Sequence, residues 1–230
     1  MQPSQRRAFV EEHFFLQGLP ETEIGRLCDH SHSKYFDPQQ TVFMKGDETT
    51  GMMAVVSGRV NIRSISKDGR ELILNTMLPG EVFGEIGVLD GGMRTADAIT
   101  TETTELLVIE RSVFLDVLQR NPEFCLNLLR ILCARIRHTS EQAEDLALLD
   151  IRTRLAKKLV ALAEEGVEAD VKSVRSVIHI SQKELGYMMG TSRESINKQL
   201  RTWEDDGLIV LKRNCVEVIN LSSLKAVFTP

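Results

Sequence analysis

Hydrophobic positions change their period along this chain, and the changes divide it into three parts. Over residues 10–30, apolar side chains (Phe14, Phe15, Leu16, Leu19, Ile24, Leu27) are mixed with acids in a spacing that predicts helix. Over residues 34–109, short runs of Val, Ile, Leu and Met alternate with glycine-bearing turns: Lys45-Gly46-Asp47, Ser57-Gly58-Arg59, Asp68-Gly69 and Pro79-Gly80. Met53-Ala54-Val55-Val56, then Val60 and Ile62, then Leu72-Ile73-Leu74 predict strands. Asp68-Gly69 between two of them predicts a type I′ hairpin turn, which requires positive φ. Several strands at this spacing predict a compact β-sandwich or β-roll.

From Pro122 to about Leu149 the period becomes that of a long helix. Proline suits a first turn, where no intrahelical partner awaits its missing N–H. Leu129, Ile136 and Ala143 form one heptad column and Leu132, Thr139 and Leu146 the other, a coiled-coil seam of about three heptads. The polar residues beside it (Arg135, Arg137, Glu141, Glu144, Asp145) favour pairing with a second copy over packing within one domain. Thr139 puts a hydroxyl at an apolar seam position, where it needs a partner. Residues 151–230 predict two or three short helices, a β-hairpin over 208–219 turning at Lys212-Arg213-Asn214, and a last short helix over 222–228.

Composition narrows the class. Hydrophobic residues make up 42% and charged residues 27%, the balance of a globular protein. No stretch approaches the roughly 20 apolar residues of a membrane helix. Arg6 and Arg7 have no apolar run behind them, so no signal peptide is predicted. Cys28, Cys125, Cys133 and Cys215 are scattered, which fits reduced thiols in the cytoplasm. The net charge of −5 argues against non-specific nucleic-acid binding by the chain as a whole. Residues 151–230, however, carry 13 Lys/Arg against 10 Asp/Glu, so the back half is the part suited to phosphates.

The sharpest local signal runs from Ser181 to Trp203. Ser181 with Glu184, and Thr191 with Glu194, read as two capping boxes, with Gly190 in the turn between them. Two capped helices joined by such a turn form a helix-turn-helix. Ile196, Leu200 and Trp203 fall on the inward face of the second helix. Arg193, Glu194, Asn197, Lys198 and Arg201 fall on the other face. Arg193 can donate two bonds to guanine, and Glu194 can accept from cytosine. Lys183, Ser192 and Ser195 are placed for phosphates, and Lys212-Arg213 reads as a basic wing. The bland reading is a helical hairpin with a solvated charged face.

A second cluster is Phe83-Gly84-Glu85-Ile86-Gly87 followed by Arg94-Thr95-Ala96. Gly84 permits close backbone approach, and a short helix starting near it would turn N–H groups toward an anion. Arg94 supplies a fork suited to a phosphate diester, and Glu85 can accept from sugar hydroxyls. The competing reading is a Glu85–Arg94 salt bridge beside a glycine turn.

These two stretches, the glycines at 46, 58 and 80, and the run from Ala134 through Thr139-Ser140 to Asp150 together resemble the cyclic-AMP receptor protein / fumarate-nitrate regulator superfamily over residues 20–220. The resemblance implies an α+β chain with three parts. These are a cyclic-nucleotide-binding β-roll with an N-terminal helix (1–120), a dimerisation helix (121–149) and a winged helix-turn-helix (150–230), with a hinge at Leu149 and Asp150. It implies that Glu85 binds the ribose 2′-hydroxyl and that Arg94 and Thr95 bind the cyclic phosphate, with Gly84 and Ile86 completing the cassette. Thr139, and Ser140 from a second subunit, would touch the base. The implied function is a non-enzymatic, cytoplasmic homodimer that binds double-stranded DNA when cAMP or cGMP is bound, with RNA polymerase as a further partner.

Three departures qualify this. Thr95 stands where the cyclic-AMP branch has serine, which leaves cAMP, cGMP or both as effector. Lys198 stands where that branch has a second base-reading arginine and lacks the bidentate fork. The polymerase-contacting loop is poorly matched around residues 165–175. The rival readings are a regulator of the same superfamily with another effector or none, and a cyclic-nucleotide module that does not bind DNA. An iron–sulfur sensor would need more N-terminal cysteines than Cys28. A cupin-type metal site would need ligands beyond His30 and His32, which read as surface histidines of the front helix.

Overall fold

The computed structural model describes residues 3–12, 19–165 and 176–228. The chain divides into two compact units. The first comprises residues 1–65 and 73–136, and the second comprises 137–230 with the short turn at 66–72.

The first unit begins with α1 (Pro3–Glu12) and α2 (Glu21–Asp29), followed by β1 (Ser31–Phe36), β2 (Thr41–Phe43), β3 (Gly51–Ser57), β4 (Val60–Ile65), β5 (Glu71–Met77) and β6 (Val82–Phe83). Then come α3 (Glu85–Asp90), β7 (Asp97–Thr100), β8 (Thr104–Glu110), α4 (Arg111–Arg120) and α5 (Pro122–Leu148), which runs on into the second unit. The strands form two four-stranded sheets, in the orders β1-β8-β3-β6 and β2-β7-β4-β5. The front segment is thus two helices rather than one; Phe14, Phe15 and Leu16 lie outside the described residues.

Strand β3 shows why the sheets stack. Successive side chains point to opposite faces. Met52 and Ala54 join a cluster with Leu107, Ile109, Phe114, Phe124 and Leu128, toward the helices. Met53 and Val55 join Val60, Met77, Phe83, Ala98, Leu106 and Val108. A strand buried on both faces reads as a nearly unbroken apolar run, as Met52 to Val56 does.

The β4–β5 turn differs from the type I′ expectation. Only Gly69 has positive φ, at 80°, and Asp68 does not. Gly69 N donates to Ser66 O and Ser66 N to Arg70 O, each at 2.9 Å, the pattern of a three-residue loop closed by a left-handed glycine. The Asp68 carboxylate accepts from the Ser66 hydroxyl and the Arg70 guanidinium, which draws Asp68 into the loop.

Helix α5 also modifies the expected seam. Phe124 and Leu128 are buried in the first unit, and Leu132 packs against that same cluster. Leu126, Leu129, Cys133, Ile136 and Ala143, with Ser140 interposed, form an exposed stripe at spacings of three and four, and Leu146 and Leu148 are exposed as well. Ile136 is 65% exposed and Leu129 49%. The first column of the expected seam is therefore exposed, whereas Leu132 in the second is spent on the core of its own unit.

The second unit continues with α6 (Ile151–Glu165), β9 (Ser176–Ile178), α7 (Gln182–Met189), α8 (Arg193–Asp205), β10 (Ile209–Lys212), β11 (Cys215–Val218) and α9 (Leu221–Lys225). The strands form one antiparallel sheet in the order β10-β11-β9. Trp203, Leu200, Ile196, Leu185, Leu155 and Leu159 fill its core. Two residues separate α5 from α6. Leu149 N donates to Asp145 O, ending the first helix, and the Asp150 carboxylate accepts from Thr153 N at 2.7 Å, starting the second. That bond holds the Asp150 carboxyl below its ordinary pKa.

Ser181 caps α7 as expected, accepting from Glu184 N. The cap of α8 is Ser192, not Thr191: its hydroxyl accepts from Ser195 N at 3.2 Å. Ser192→Ala is therefore expected to lower the unfolding free energy of this unit by about 1 kcal/mol, with Thr191→Ala costing less. Urea unfolding monitored by Trp203 fluorescence checks the order of the two.

Candidate functional site

Between β6 and α3 the chain turns at Gly84, whose φ of 77° lies in the left-handed region. A Cβ there would also collide with the Arg94 guanidinium, so glycine is required twice over. Arg94 Nη1 donates to Gly84 O at 2.8 Å and Nη2 to Gly51 O at 2.6 Å. The guanidinium lies 4.2 Å from the centre of the Phe43 ring. The loop bearing Arg94 is fixed to the β2–β3 loop by Gly46 N to Arg94 O and Arg94 N to Asp47 O, both 2.9 Å.

Arg94 is 5% exposed, its hydrogen bonds go to carbonyl oxygens, and its buried Nε has no partner. Burial pulls its pKa below the ordinary arginine value, against a smaller opposing pull from Asp47 and Glu85. A buried cation held by carbonyls alone is suited to receive an anion.

Glu85 opens α3 and is 4% exposed. The Glu85–Arg94 salt bridge weighed from sequence does not form. The Glu85 carboxylate instead accepts from Arg135 Nη1 at 2.5 Å. Arg135, on α5, also donates to Val82 O and lies 3.8 Å from the Met77 sulfur. Sequence reasoning placed Arg135 only as a polar flank of the seam. The available signal was its place one turn before Thr139, facing the roll side of the helix.

The remaining cassette residues are more open: Thr95 and Ile86 are exposed, and Gly84 is half-buried. Thr139 and Ser140 are exposed on the part of α5 that belongs to the second unit. The first unit thus brings together Gly84, Glu85, Arg94, Thr95 and Arg135 around a cation, a carboxylate and a hydroxyl. Such a set can bind a phosphate diester next to a hydroxylated group.

In the second unit, Gly190 (φ 61°) ends α7 and α8 begins three residues later. Ile196, Leu200 and Trp203 are buried, while Ser192, Arg193, Glu194, Ser195 and Lys198 are all exposed. Lys183 lies on α7 with its ammonium 5.3 Å from the Tyr187 ring centre. Arg213 and Asn214 form the β10–β11 turn, Asn214 at φ 53°. Lys212, read from the sequence as part of a basic wing, is exposed, and its ammonium is ion-paired with Glu217 at 2.7 Å. Residues 166–175, most of the expected polymerase loop, lie outside the described residues. His30 is the C-cap of α2 and His32 lies in β1, so the pair does not share a helix. Among the described residues no three His, Cys, Asp or Glu side chains are placed to hold a metal, and no helix is long and apolar enough to cross a membrane.

The profile described as a cyclic nucleotide-binding domain matches residues 33–121, and that of a Crp-like helix-turn-helix domain matches residues 153–227. The chain is 31% identical over 200 residues to the CRP-like cAMP-activated global transcriptional regulator of Mycobacterium tuberculosis, covering 87% of this chain and 89% of that protein. It is 33% identical over 181 residues to the cAMP-activated global transcriptional regulator CRP of Haemophilus influenzae, covering 78% and 80%. Among solved structures, the c-di-GMP-responsive global regulator CLP of Xanthomonas campestris superposes with a TM-score of 0.77 at 28% identity, covering 86% of this chain and 99% of that one.

Removing Arg135 leaves the buried Glu85 carboxylate without its cation. Arg135→Ala is expected to destabilise the first unit by about 1–3 kcal/mol. Glu85→Gln in the same chain restores part of the loss, because it removes the orphaned charge. A double-mutant cycle by thermal unfolding checks the coupling, and additive losses would show the pair to be energetically silent.

Proposed function

Because the chain belongs to the CRP-like family of cyclic-nucleotide-binding, helix-turn-helix transcription regulators, we propose that it is a homodimeric DNA-binding regulator controlled by a 3′,5′-cyclic nucleotide, cAMP or cGMP. The observation that carries this reading is Arg94, a buried guanidinium bonded only to carbonyls beside the left-handed Gly84. In the proposed complex the ligand phosphate meets Arg94 and the Thr95 hydroxyl. The ribose 2′-hydroxyl donates to Glu85, whose other bond is to Arg135. Gly84 and Ile86 border the ligand. Thr139, about one turn beyond Arg135 on α5, meets the base together with Ser140 of a second subunit.

The exposed stripe Leu126, Leu129, Cys133 and Ile136 supports pairing with a second copy, since such a column at heptad spacing needs a partner helix. Two copies would present two α8 helices to successive major grooves of a palindromic site. There Arg193 and Glu194 would read bases, Lys198 would supply a point charge, and Lys183, Ser192, Ser195, Arg213 and Lys212 would face the backbone. Leu149 and Asp150 form the proposed hinge. Domain limits of 1–120, 121–149 and 150–230 follow from this assignment. RNA polymerase is the expected further partner and the cytoplasm the expected location. The ligand changes the outcome only by binding the DNA-competent arrangement more tightly than the other.

A second reading concerns the effector. The Xanthomonas regulator is described as c-di-GMP-responsive, and a cyclic dinucleotide offers the same phosphodiester to Arg94. Calorimetric titration with cAMP, cGMP and c-di-GMP separates the ligands. For whichever binds, Arg94→Ala is expected to cost about 2–5 kcal/mol, and unchanged affinity would remove the site. Thr95→Ala is expected to weaken cGMP more than cAMP, and equal losses in the same titrations would remove any role for Thr95 in choosing the purine. On a cognate duplex Arg193→Ala is expected to cost about 1–3 kcal/mol and relax one base position. A selection from random duplexes, read out by gel shift, checks it.

A further inference from the structure

We infer that Glu204, in the last turn of α8, is a positioning residue that fixes the wing to the proposed recognition helix, so that Arg213 at the wing tip meets a DNA phosphate while α8 lies in the groove. The inference rests on the DNA-binding reading above. Helix α8 closes on Gly207, whose φ of 72° is left-handed, and Leu208 N donates to Trp203 O at 2.9 Å. A glycine closure of this kind sets where the following strand begins. It leaves the far end of β10, where the wing turns at Arg213 and Asn214, to be held by something else.

Glu204 supplies that second tie. Strand β10 is an edge of the sheet β10-β11-β9. In an antiparallel pair, alternate residues send their N–H groups away from the partner strand, and at an edge no further strand receives them. Leu211 N is such a donor, and the Glu204 carboxylate accepts from it through Oε1 at 2.9 Å. The Leu211 side chain meanwhile packs against the core that contains Ile209 and Trp203. The strand is thus held at Leu211 by its side chain and by its N–H, two residues before the exposed Arg213.

The residue type runs against local preference. A helix C-terminus carries partial negative charge and favours Lys, Arg or His. The last turn of α8 has no basic residue and ends in Glu204-Asp205. A carboxylate there opposes the helix dipole, and beside DNA it also repels the phosphates. The charge-assisted bond to Leu211 N, seven residues on, offsets that cost. Its benefit is geometric. Phosphate contacts orient a reader on the duplex without specifying sequence. A loose wing has to be ordered on the DNA, and that ordering subtracts from affinity. With β10 held by Glu204, wing and helix arrive as one piece.

The test compares Glu204→Gln with Glu204→Ala in the full-length protein. Both remove the same negative charge, but glutamine keeps a carbonyl oxygen for Leu211 N and alanine does not. Binding to a random-sequence duplex pool is followed by fluorescence anisotropy across a salt series, with and without added cAMP. Glu204→Gln is expected to bind more tightly than Glu204→Ala. The log K against log salt slope of Glu204→Ala is expected to be shallower by about 0.9 per wing, the share of one phosphate contact. The advantage of Glu204→Gln therefore shrinks about 3-fold per wing between roughly 50 and 200 mM salt. In an Arg213→Gln background the two variants bind alike. Without DNA, the Leu211 amide exchanges its hydrogen faster in Glu204→Ala than in Glu204→Gln. Equal slopes and affinities for the two variants would overturn the inference, as would equal Leu211 exchange or an advantage that survives Arg213→Gln; each leaves DNA binding intact. Failure of the unmodified protein to bind any duplex would remove the DNA-binding reading and the inference with it.

Discussion

A charged group buried with only carbonyl oxygens as hydrogen-bond partners constrains everything around it, and in this chain that group is the Arg94 guanidinium. Its desolvation is offset by two carbonyl oxygens and the face of Phe43, none of which carries a formal negative charge. Each of these partners imposes a local requirement. Gly84 must be glycine both for its left-handed φ and to admit the guanidinium. Gly51 must be glycine because a Cβ would run into Ile109 O on the neighbouring strand β8, and its carbonyl then reaches Arg94. The loop pairing through Gly46 and Asp47 fixes the backbone of Arg94 itself. The β-roll thus holds a buried cation, and the proposed anion site rests on that arrangement.

The same pocket reaches the long helix through Glu85. Its bond to Arg135 joins the start of α3 to α5, so the carboxylate proposed to receive the ribose is already tied to the helix proposed to pair between subunits. A ligand hydroxyl arriving at Glu85 therefore acts on a contact that α5 shares. This is a physical route by which occupancy can alter helix position. The size of the effect is bounded by how differently the ligand binds the two arrangements, not by how tightly it binds either.

The parts legible in the sequence were those set by local rules. Glycine turns, the strand at Met53-Ala54-Val55-Val56, the Pro122 helix start, the Ser181 cap and the inward column Ile196-Leu200-Trp203 all follow from periodicity or capping chemistry. The parts that escaped were decided by contacts distant in sequence. Arg135 lies 50 residues from Glu85, and no spacing rule links them. Leu132 looks like a seam residue until the core around Phe114 and Phe124 is assembled beside it. The α8 cap moved from Thr191 to Ser192 because a serine and a threonine stand side by side, and only the turn geometry after Gly190 chooses between them. The Lys212–Glu217 ion pair, across a hairpin and five residues apart, was likewise not part of the sequence reading.

That last difference bears on how a regulator keeps its DNA binding conditional. Phosphate contacts carry affinity but no sequence information, and every added exposed cation strengthens binding to all DNA alike. A dimer that already bound any duplex tightly would gain little from its ligand, because the competing sites in a genome would hold it in either state. In the proposed DNA complex, α8 places Glu194 beside Arg193 and offers a point charge at Lys198 rather than a fork, and in the hairpin that follows Lys212 is ion-paired with Glu217. In the proposed dimer the interface would then be one of modest general attraction, in which the correct placement of the two α8 helices contributes the larger share. Under that proposal placement is the quantity a bound ligand would control, so a restrained charge on the reader and a buried cation in the sensor would serve the same regulatory logic.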